Sequence, residues 1–292
     1  MDLIASTERM PRPGETLFAT ALTRVPGGKG LNQAVAARRL GLAPVFMFGS
    51  VGQDPFGDSL LEFMHTEGID SLGVARASAP TGVALITVDA RAENTIVVAP
   101  GANSHLTPDS LDVLRAHVAQ AGVALVQLEI PVETVHRFLE IASGSRATTV
   151  LNAAPARDLP DSLLALVDIL CVNETELAEM TNAAQIPGDH DALASAARKL
   201  LARGAGCVIV TLGHAGAMTV TRASDALYPG IPVHAVDPTG AGDCFLGALA
   251  SRLNEGASLS EAVPFANRAA ALSVQRSGAS SSIPHRQELE AL

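Results

Sequence analysis

Short apolar runs alternate with longer helical patterns along most of the chain, and this alternation limits the fold more than any other feature. Strands are predicted at residues 44–49, 122–128, 148–151, 168–172, 207–212 and 231–236. Helices are predicted at residues 56–65, 132–142, 175–180, 191–203, 245–253 and 259–274. Strands that alternate with helices form a mostly parallel sheet with helices on both faces. We therefore expect an α/β, doubly wound fold.

Two segments interrupt this alternation. Residues 15–25 and 82–98 look extended, and the second contains a polar turn at residues 89–94. Such pieces can form a small sheet that acts as a lid or as a subunit interface, although an edge extension of the main sheet is the alternative. We expect one domain over residues 1–292, with a β lid formed by about residues 3–25 and 81–99.

The composition limits the partners and the compartment. The 292 residues are 48% hydrophobic and carry a formal net charge of −10 at pH 7. Nucleic acids and anionic membranes need a basic surface, so neither is expected as a partner. Cys171, Cys207 and Cys244 lie far apart in apolar segments and indicate reduced, buried thiols. Because the sequence has neither a run of about 18 apolar residues nor a leader pattern, we expect a cytoplasmic protein.

The stretch from Asp237 to Asp243 carries the clearest chemical signal. Its small residues Gly240, Ala241 and Gly242 precede an acid at the start of a predicted helix. Backbone N–H groups at a helix N-terminus can close on an anion, and the helix dipole favours phosphate oxygens. Asp243 would then stand where a general base takes a proton from a hydroxyl that attacks a terminal phosphate. An N-cap acid on an ordinary turn is the alternative.

A second glycine-rich turn, from Pro26 to Gly30, opens a helix that ends at Gly41. Glycines let the backbone approach a ligand closely, while Lys29 and Asn32 offer donors that suit hydroxyl groups. Because the lysine is not followed by Ser or Thr, this turn is not a P-loop. A tight turn with a solvated lysine explains the same residues.

Three further motifs follow predicted strands. Asn173 and Glu176 could hold magnesium through water, although a helix cap explains them equally well. Residues 211–216 contain glycines that suit contact with a nucleotide, or a plain turn between strand and helix. Glu129 is a charge at the end of a buried strand, so it needs polar partners such as sugar hydroxyls.

Together and in this order, the motifs make the chain resemble the ribokinase-like (PfkB) carbohydrate kinases over nearly its whole length. The landmarks lie at residues 13–16, 27–30 with Asn32, 81–84, 152–155, 173–176 and 237–243. The resemblance implies an ATP-dependent sugar kinase that converts D-ribose and ATP into D-ribose 5-phosphate and ADP. Deoxyribose, another pentose, a hexose or a nucleoside stays open as the acceptor.

The resemblance also implies roles for individual residues. The catalytic base and anion hole would be Asp243 with Gly240, Ala241 and Gly242. The sugar would contact Asp2, Gly28, Lys29, Gly30, Asn32, Glu129 and Asp243. ATP would lie against Asn173, Thr211, Leu212, Gly213, His214, Ala215, Gly216, Gly242 and Asn267. Magnesium would be held near Glu176, and potassium by oxygens of Asp237, Thr239, Ser273, Arg276, Gly278 and Ser282.

The N-terminus departs from the family pattern. Family members begin with an apolar strand that ends in Gly-Ser-x-Asn, whereas this chain opens at Met1-Asp2-Leu3-Ile4. We therefore expect the first strand and one sugar-binding Asn to be missing, and the codons upstream to encode them. A non-catalytic sugar-binding protein is the alternative from another class of function. Family members are often dimers, so the resemblance implies a homodimer.

Overall fold

The computed structural model describes residues 1–91, 93–186 and 188–291. Its strands are β1 (Asp2–Ser6), β2 (Ala21–Val25), β3 (Phe46–Gly52), β4 (Asp70–Ala77), β5 (Val83–Val88), β6 (Asn94–Ala99), β7 (Val123–Gln127), β8 (Thr148–Asn152), β9 (Ile169–Asn173), β10 (Cys207–Thr211), β11 (Gly216–Val220) and β12 (Asp225–Pro229). Its helices are α1 (Lys29–Leu40), α2 (Pro55–Thr66), α3 (Arg115–Val118), α4 (Val132–Ser143), α5 (Asp161–Leu164), α6 (Glu174–Met180), α7 (His190–Ala202), α8 (Ala241–Asn254), α9 (Leu259–Ser273) and α10 (Arg286–Glu290).

The largest sheet has six strands in the order β12-β11-β10-β9-β8-β7. Strands β7 to β10 are parallel, whereas β11 and β12 run antiparallel to their neighbours. Ile169 and Ile209 pack on one face with α1, α8 and α9, while Leu170 and Val208 pack on the other with α4, α6 and α7. Burial on both faces explains the continuous apolar runs of these strands. The predicted doubly wound α/β fold is confirmed.

A four-stranded sheet stands beside it, in the order β2-β1-β5-β6. Strands β5 and β6 form the hairpin that the sequence predicted, paired from Val83 with Ala99 to Val88 with Asn94. Within the extended segment predicted at residues 15–25, only β2 is a strand. Strands β3 and β4 form a separate parallel pair, connected by α2. None of the helices within the described ranges is long and apolar enough to cross a membrane.

The strand predicted at residues 231–236 is absent: these described residues form a loop, and β12 is the last strand before α8. Pro232 has no N–H to donate to a strand ladder, and the Pro229-Gly230 step ends β12 directly before it. The apolar side chains of this loop are partly solvated, with Val236 57% exposed. The anion-hole motif therefore follows a loop and not a strand.

Helices α1 and α8 pack in direct backbone contact, and Gly247 makes this possible. A Cβ atom built on Gly247 would lie 2.4 Å from the Cβ of Ala36 and 2.5 Å from the carbonyl oxygen of Gln33. Helix α1 carries Asn32 and Gln33, while Asp243 lies in the first turn of α8. The close contact therefore sets the distance between these polar side chains.

Replacing Gly247 by Ala is expected to lower the free energy of unfolding by about 1–3 kcal/mol, because the added methyl overpacks the contact between α1 and α8. At an unhindered helix position the same change stabilises a protein by roughly 0.5–1 kcal/mol. The control is Gly144→Ala at the C-cap of α4, where the nearest atom to the new methyl lies 3.5 Å away. Urea unfolding measures both variants, and a Gly247→Ala protein as stable as the parent contradicts the packing account.

Candidate active site

A cleft of about 200 Å³ opens at the carboxyl ends of β8, β9 and β10, against the N-terminus of α8. This edge of a parallel sheet is where ligands of α/β proteins bind. The cleft brings together eight residues that the sequence assigned to sites: Lys29, Asn173, Glu176, Thr211, Gly240, Ala241, Gly242 and Asp243. Distant segments of the chain therefore meet where the sequence placed the chemistry.

The turn before α8 is built to receive an anion. Gly240 has a φ of +75°, in the left-handed region, and a Cβ there would lie 3.0 Å from Ala279. The N–H of Ala241 donates to the carbonyl of Pro238 at 3.2 Å. In the part of the chain that the structure describes, the N–H groups of Gly242 and Asp243 donate to no acceptor. These two donors at the positive end of a 14-residue helix face the cleft residues and suit phosphate oxygens.

Asp243 is 7% exposed and is held by two side-chain amides from α1. Asn32 Nδ2 donates to its Oδ2 at 3.0 Å, and Gln33 Nε2 donates to its Oδ1 at 2.8 Å. Burial raises the pKa of Asp243, while the positive charge of Lys29 and both amide donors oppose that rise. Directed donors favour the ionised form of a buried carboxylate, which is the form that acts as a general base.

Two more carboxylates lie close to Asp243. Asp2 lies against Gly27, where a Cβ would come within 2.0 Å of its Oδ2. Glu129 Oε2 accepts a hydrogen bond from the backbone N–H of Lys29 at 2.9 Å. Burial raises the pKa of both groups, and the negative charge of Asp243 acts in the same direction. Acceptors therefore outnumber donors here, which suits a ligand that donates from several hydroxyl groups.

Asn32 supplies a further acceptor to the same region. Its Oδ1 is buried and has no hydrogen-bond partner among the described residues. An unpaired buried acceptor is costly unless a ligand pairs with it. Asp2, Glu129 and Asn32 do not line the cleft itself, but their acceptors lie beside Asp243 and suit a polyol.

Asn173 and Glu176 form a capping box and also line the cleft. Asn173 Oδ1 accepts from the N–H of Glu176 at 2.8 Å, and Glu176 Oε2 accepts from the N–H of Asn173 at 2.9 Å. The capping interpretation is confirmed, and the magnesium interpretation stays a prediction. Burial raises the pKa of Glu176, even though the N–H of Asn173 opposes the rise. Its carboxylate lies near the anion turn, where a hydrated cation could reach it.

The segment at residues 211–216 lies at the edge of the cleft, and only Thr211 lines it. Gly213 has open space around its Cα, whereas a Cβ on Gly216 would lie 2.1 Å from the carbonyl oxygen of Tyr228. Gly216 therefore allows β11 and β12 to approach each other closely. Leu212 is buried and His214 is exposed.

Asn267, another residue that the sequence assigned to ATP, lies in α9. Its Nδ2 donates to the carbonyls of Tyr228 and Pro229, at 3.1 and 3.3 Å, so this donor is already used by the backbone.

Asp237 joins the two segments that the sequence assigned to potassium. Its Oδ1 accepts from the N–H of Thr239 at 2.9 Å, and its Oδ2 accepts from the N–H of Gly278 at 2.8 Å. Burial alone would raise the pKa of Asp237, but these donors hold it below its usual value. Ser273 and Ser282 are each 1% exposed, and the side chain of Arg276 pairs with Glu288. Because a guanidinium group has no acceptor, Arg276 can offer only its backbone oxygen to a cation.

Sequence reasoning missed Gln33, Gln127 and Asn152. Gln33 Nε2 donates to Asn152 Oδ1 at 3.1 Å as well as to Asp243, and Gln127 Nε2 donates to Gln33 Oε1. Gln33 lies four residues after Lys29 in α1, hence on the same helix face. That spacing, and a glutamine ending the apolar strand β7, were the signals available in the sequence.

Comparison with known proteins adds an independent observation. Residues 1–286 match the family model described as pfkB family carbohydrate kinase. A ribokinase of Haemophilus influenzae is 40% identical over 288 residues, covering 98% of this chain and 93% of that protein. A deoxyribokinase of Salmonella typhi is 37% identical over 287 residues, covering 97% and 92%. The structure of Arabidopsis thaliana ribokinase complexed with ribose and ATP matches with a TM-score of 0.92 and 31% identity, covering 99% of this chain and 94% of that one.

Proposed function

The chain belongs to the pfkB family of carbohydrate kinases, as its motifs predicted, and we therefore propose that it transfers the terminal phosphoryl group of ATP to D-ribose. The products are D-ribose 5-phosphate and ADP. The observation that carries this proposal is the placement of Asp243, buried between two amides and beside the free N–H groups of the α8 turn. The ribokinase relatives support ribose as the acceptor.

In this proposal each part of the cleft has one task. Asp243 takes the proton of the primary hydroxyl of the sugar as that oxygen attacks the terminal phosphorus. The N–H groups of Gly242 and Asp243 stabilise the charge that develops on the phosphoryl oxygens. Asp2, Glu129 and Asn32 accept hydrogen bonds from the other hydroxyls and hold the attacking oxygen in place. ATP extends from the turn along Asn173 and residues 211–216.

Two cations belong to the same proposal. No group of three His, Cys, Asp or Glu side chains in the described ranges could hold a metal ion alone. Magnesium fits this donor set because it keeps several waters and needs only one or two carboxylates beside the phosphates, here Glu176. It would neutralise phosphate charge. Potassium would be held by oxygens of Asp237, Thr239, Ser273, Arg276, Gly278 and Ser282, and would order the anion turn.

We further propose that the chain is one domain and that the four-stranded sheet is its lid and the interface of a homodimer. Leu22, Leu85 and Val97 lie on one face of that sheet and are 69%, 51% and 65% exposed. An exposed apolar sheet face of this kind is typical of an interaction surface.

The three cysteines are free and buried, which fits a reducing compartment such as the cytoplasm.

Deoxyribose is the second candidate acceptor, because the Salmonella typhi deoxyribokinase is nearly as similar as the ribokinase relative. Deoxyribose lacks one hydroxyl, so one buried acceptor of the pocket would stay unpaired. An unpaired acceptor of this type costs about 1–3 kcal/mol, or roughly 5- to 150-fold in affinity. We therefore expect kcat/KM to be higher for D-ribose.

A coupled assay for ADP tests the proposal across D-ribose, 2-deoxy-D-ribose, other pentoses, a hexose and a nucleoside. D-ribose is expected to give the highest kcat/KM, with no turnover without magnesium and slower turnover when sodium replaces potassium. A higher value for another acceptor overturns the assignment of ribose. Sugar binding without ADP formation identifies a non-catalytic binding protein and overturns the kinase proposal.

A further inference from the structure

We propose that Gln33 is a positioning residue for the general base: its amide fixes the carboxylate of Asp243 and is itself held in one orientation by Gln127 and Asn152. This inference rests on the proposed phosphoryl transfer. The four side chains come from α1, α8, β7 and β8 and are joined by three hydrogen bonds.

The chemistry of the partners determines the orientation of the Gln33 amide. An ionised carboxylate can only accept, so the group of Gln33 that faces Asp243 is the NH₂. One of its hydrogens is donated to Asp243 Oδ1 at 2.8 Å and the other to Asn152 Oδ1 at 3.1 Å. The remaining Oε1 accepts from Gln127 Nε2. Rotating the amide by 180° would break all three contacts.

Gln33 acts through Asp243 and not on the substrate. It is 1% exposed, and its side-chain amide is already fully paired with Asp243, Asn152 and Gln127. Its donor and that of Asn32 hold the two oxygens of Asp243 separately, which fixes the plane of the carboxylate. A base must point one lone pair at the hydroxyl proton, and a misplacement of about 1 Å can cost on the order of 100-fold in rate.

The arrangement also favours the ionised form of the base. The side-chain groups of Gln33 and Asn32 that face Asp243 are donors, so a proton on either oxygen would lose one of these bonds. The charged groups around the base are Lys29, Asp2, Glu129 and Glu176. Burial raises the pKa of Asp243, whereas Lys29 and the two amide donors act in the opposite direction. The amide donors therefore counter the effect of burial.

The test is Gln33→Met, which keeps the length of the side chain and removes its polar atoms. We expect kcat to fall by about 10- to 100-fold, because the carboxylate loses its fixed orientation. KM for the sugar and for ATP is expected to stay within about threefold, since Gln33 touches neither. The acid limb of the pH profile of kcat is expected to move to higher pH, because losing a donor raises the pKa of Asp243.

Gln127→Met provides a second variant whose effect must pass through Gln33. We expect a smaller loss of kcat and a shift of the acid limb in the same direction. The double variant is expected to be no slower than Gln33→Met alone, because both changes break one chain of contacts. Gln120→Met is the matched control, since Gln120 is exposed and only donates to the carbonyl of Ala116.

These outcomes separate the inference from the function on which it rests. A Gln33→Met enzyme with kcat within about twofold of the parent, or with its loss confined to KM, overturns the positioning role. A double variant in which the two losses of kcat multiply also overturns the positioning role. A purely structural role predicts slower turnover with an unshifted pH profile. If Gln33→Met does not fold, the rate and pH profile of Gln127→Met decide the matter. A parent protein that phosphorylates no sugar refutes the proposed function and the inference together.

Discussion

The Asp243→Asn protein is expected to bind sugar and ATP almost normally and to turn over about 10²- to 10⁴-fold more slowly than the parent. The amide cannot take the hydroxyl proton, so an interaction that matters only in the transition state is lost. The fold should tolerate the change. Gln33 Nε2 can still donate to the amide oxygen of the new side chain.

Steady-state kinetics and calorimetric titration of both ligands measure this prediction. The control is Asp158→Asn, the same change at a side chain that is fully exposed. Because the acid limb of the pH profile is assigned to Asp243, that limb should also vanish from the residual activity. A variant that keeps turnover within about tenfold of the parent contradicts the assignment of the base.

Replacing Gly240 by Ala is expected to lower kcat by about 10²- to 10³-fold, the range seen when one donor of an oxyanion hole is lost. The φ of +75° is unfavourable for alanine, and the new methyl would lie 3.0 Å from Ala279. The turn must therefore shift, and the N–H groups of Gly242 and Asp243 shift with it. KM for the sugar should change much less, because the proposed sugar contacts other than Asp243 lie on other elements.

The matched control is Gly256→Ala. Gly256 also has a positive φ, of +85°, but a Cβ there would meet nothing within 4 Å. It follows the last turn of α8, at the opposite end from the anion turn. Both variants should lose thermal stability from backbone strain, and only Gly240→Ala should lose kcat. Equal activities of the two variants would contradict the anion-hole account.

Most of the fold could be predicted from local patterns, because fully buried parallel strands such as β9 and β10 have continuous apolar sequences. The failures have physical causes. The run at residues 231–236 is apolar but contains Pro232, which cannot join a ladder. Strand β4 was missed because its burial is partial and does not alternate. Strands β11 and β12 were missed because short turns separate them from their neighbours.

Part of the candidate site could also be predicted from the sequence, and part of it could not. The turn before α8 and its acid are contiguous in sequence, so their chemistry could be predicted from residue types alone. The contacts of Gln33 with Asn152 and Gln127 join residues 119 and 94 positions apart, and only the packing of α1 on the sheet and on α8 creates them. Gly247 illustrates the same limit, since its importance depends on how closely α1 approaches.

Phosphorus NMR of a single reaction with D-ribose, ATP and magnesium tests the central claim most directly. It reports in one sample whether the phosphoryl group reaches the sugar, water or neither. We expect one D-ribose 5-phosphate for each ADP, with inorganic phosphate at background. ADP that accumulates with inorganic phosphate and no sugar phosphate, or no ADP at all, would contradict the assignment of Asp243 and its turn to sugar phosphorylation.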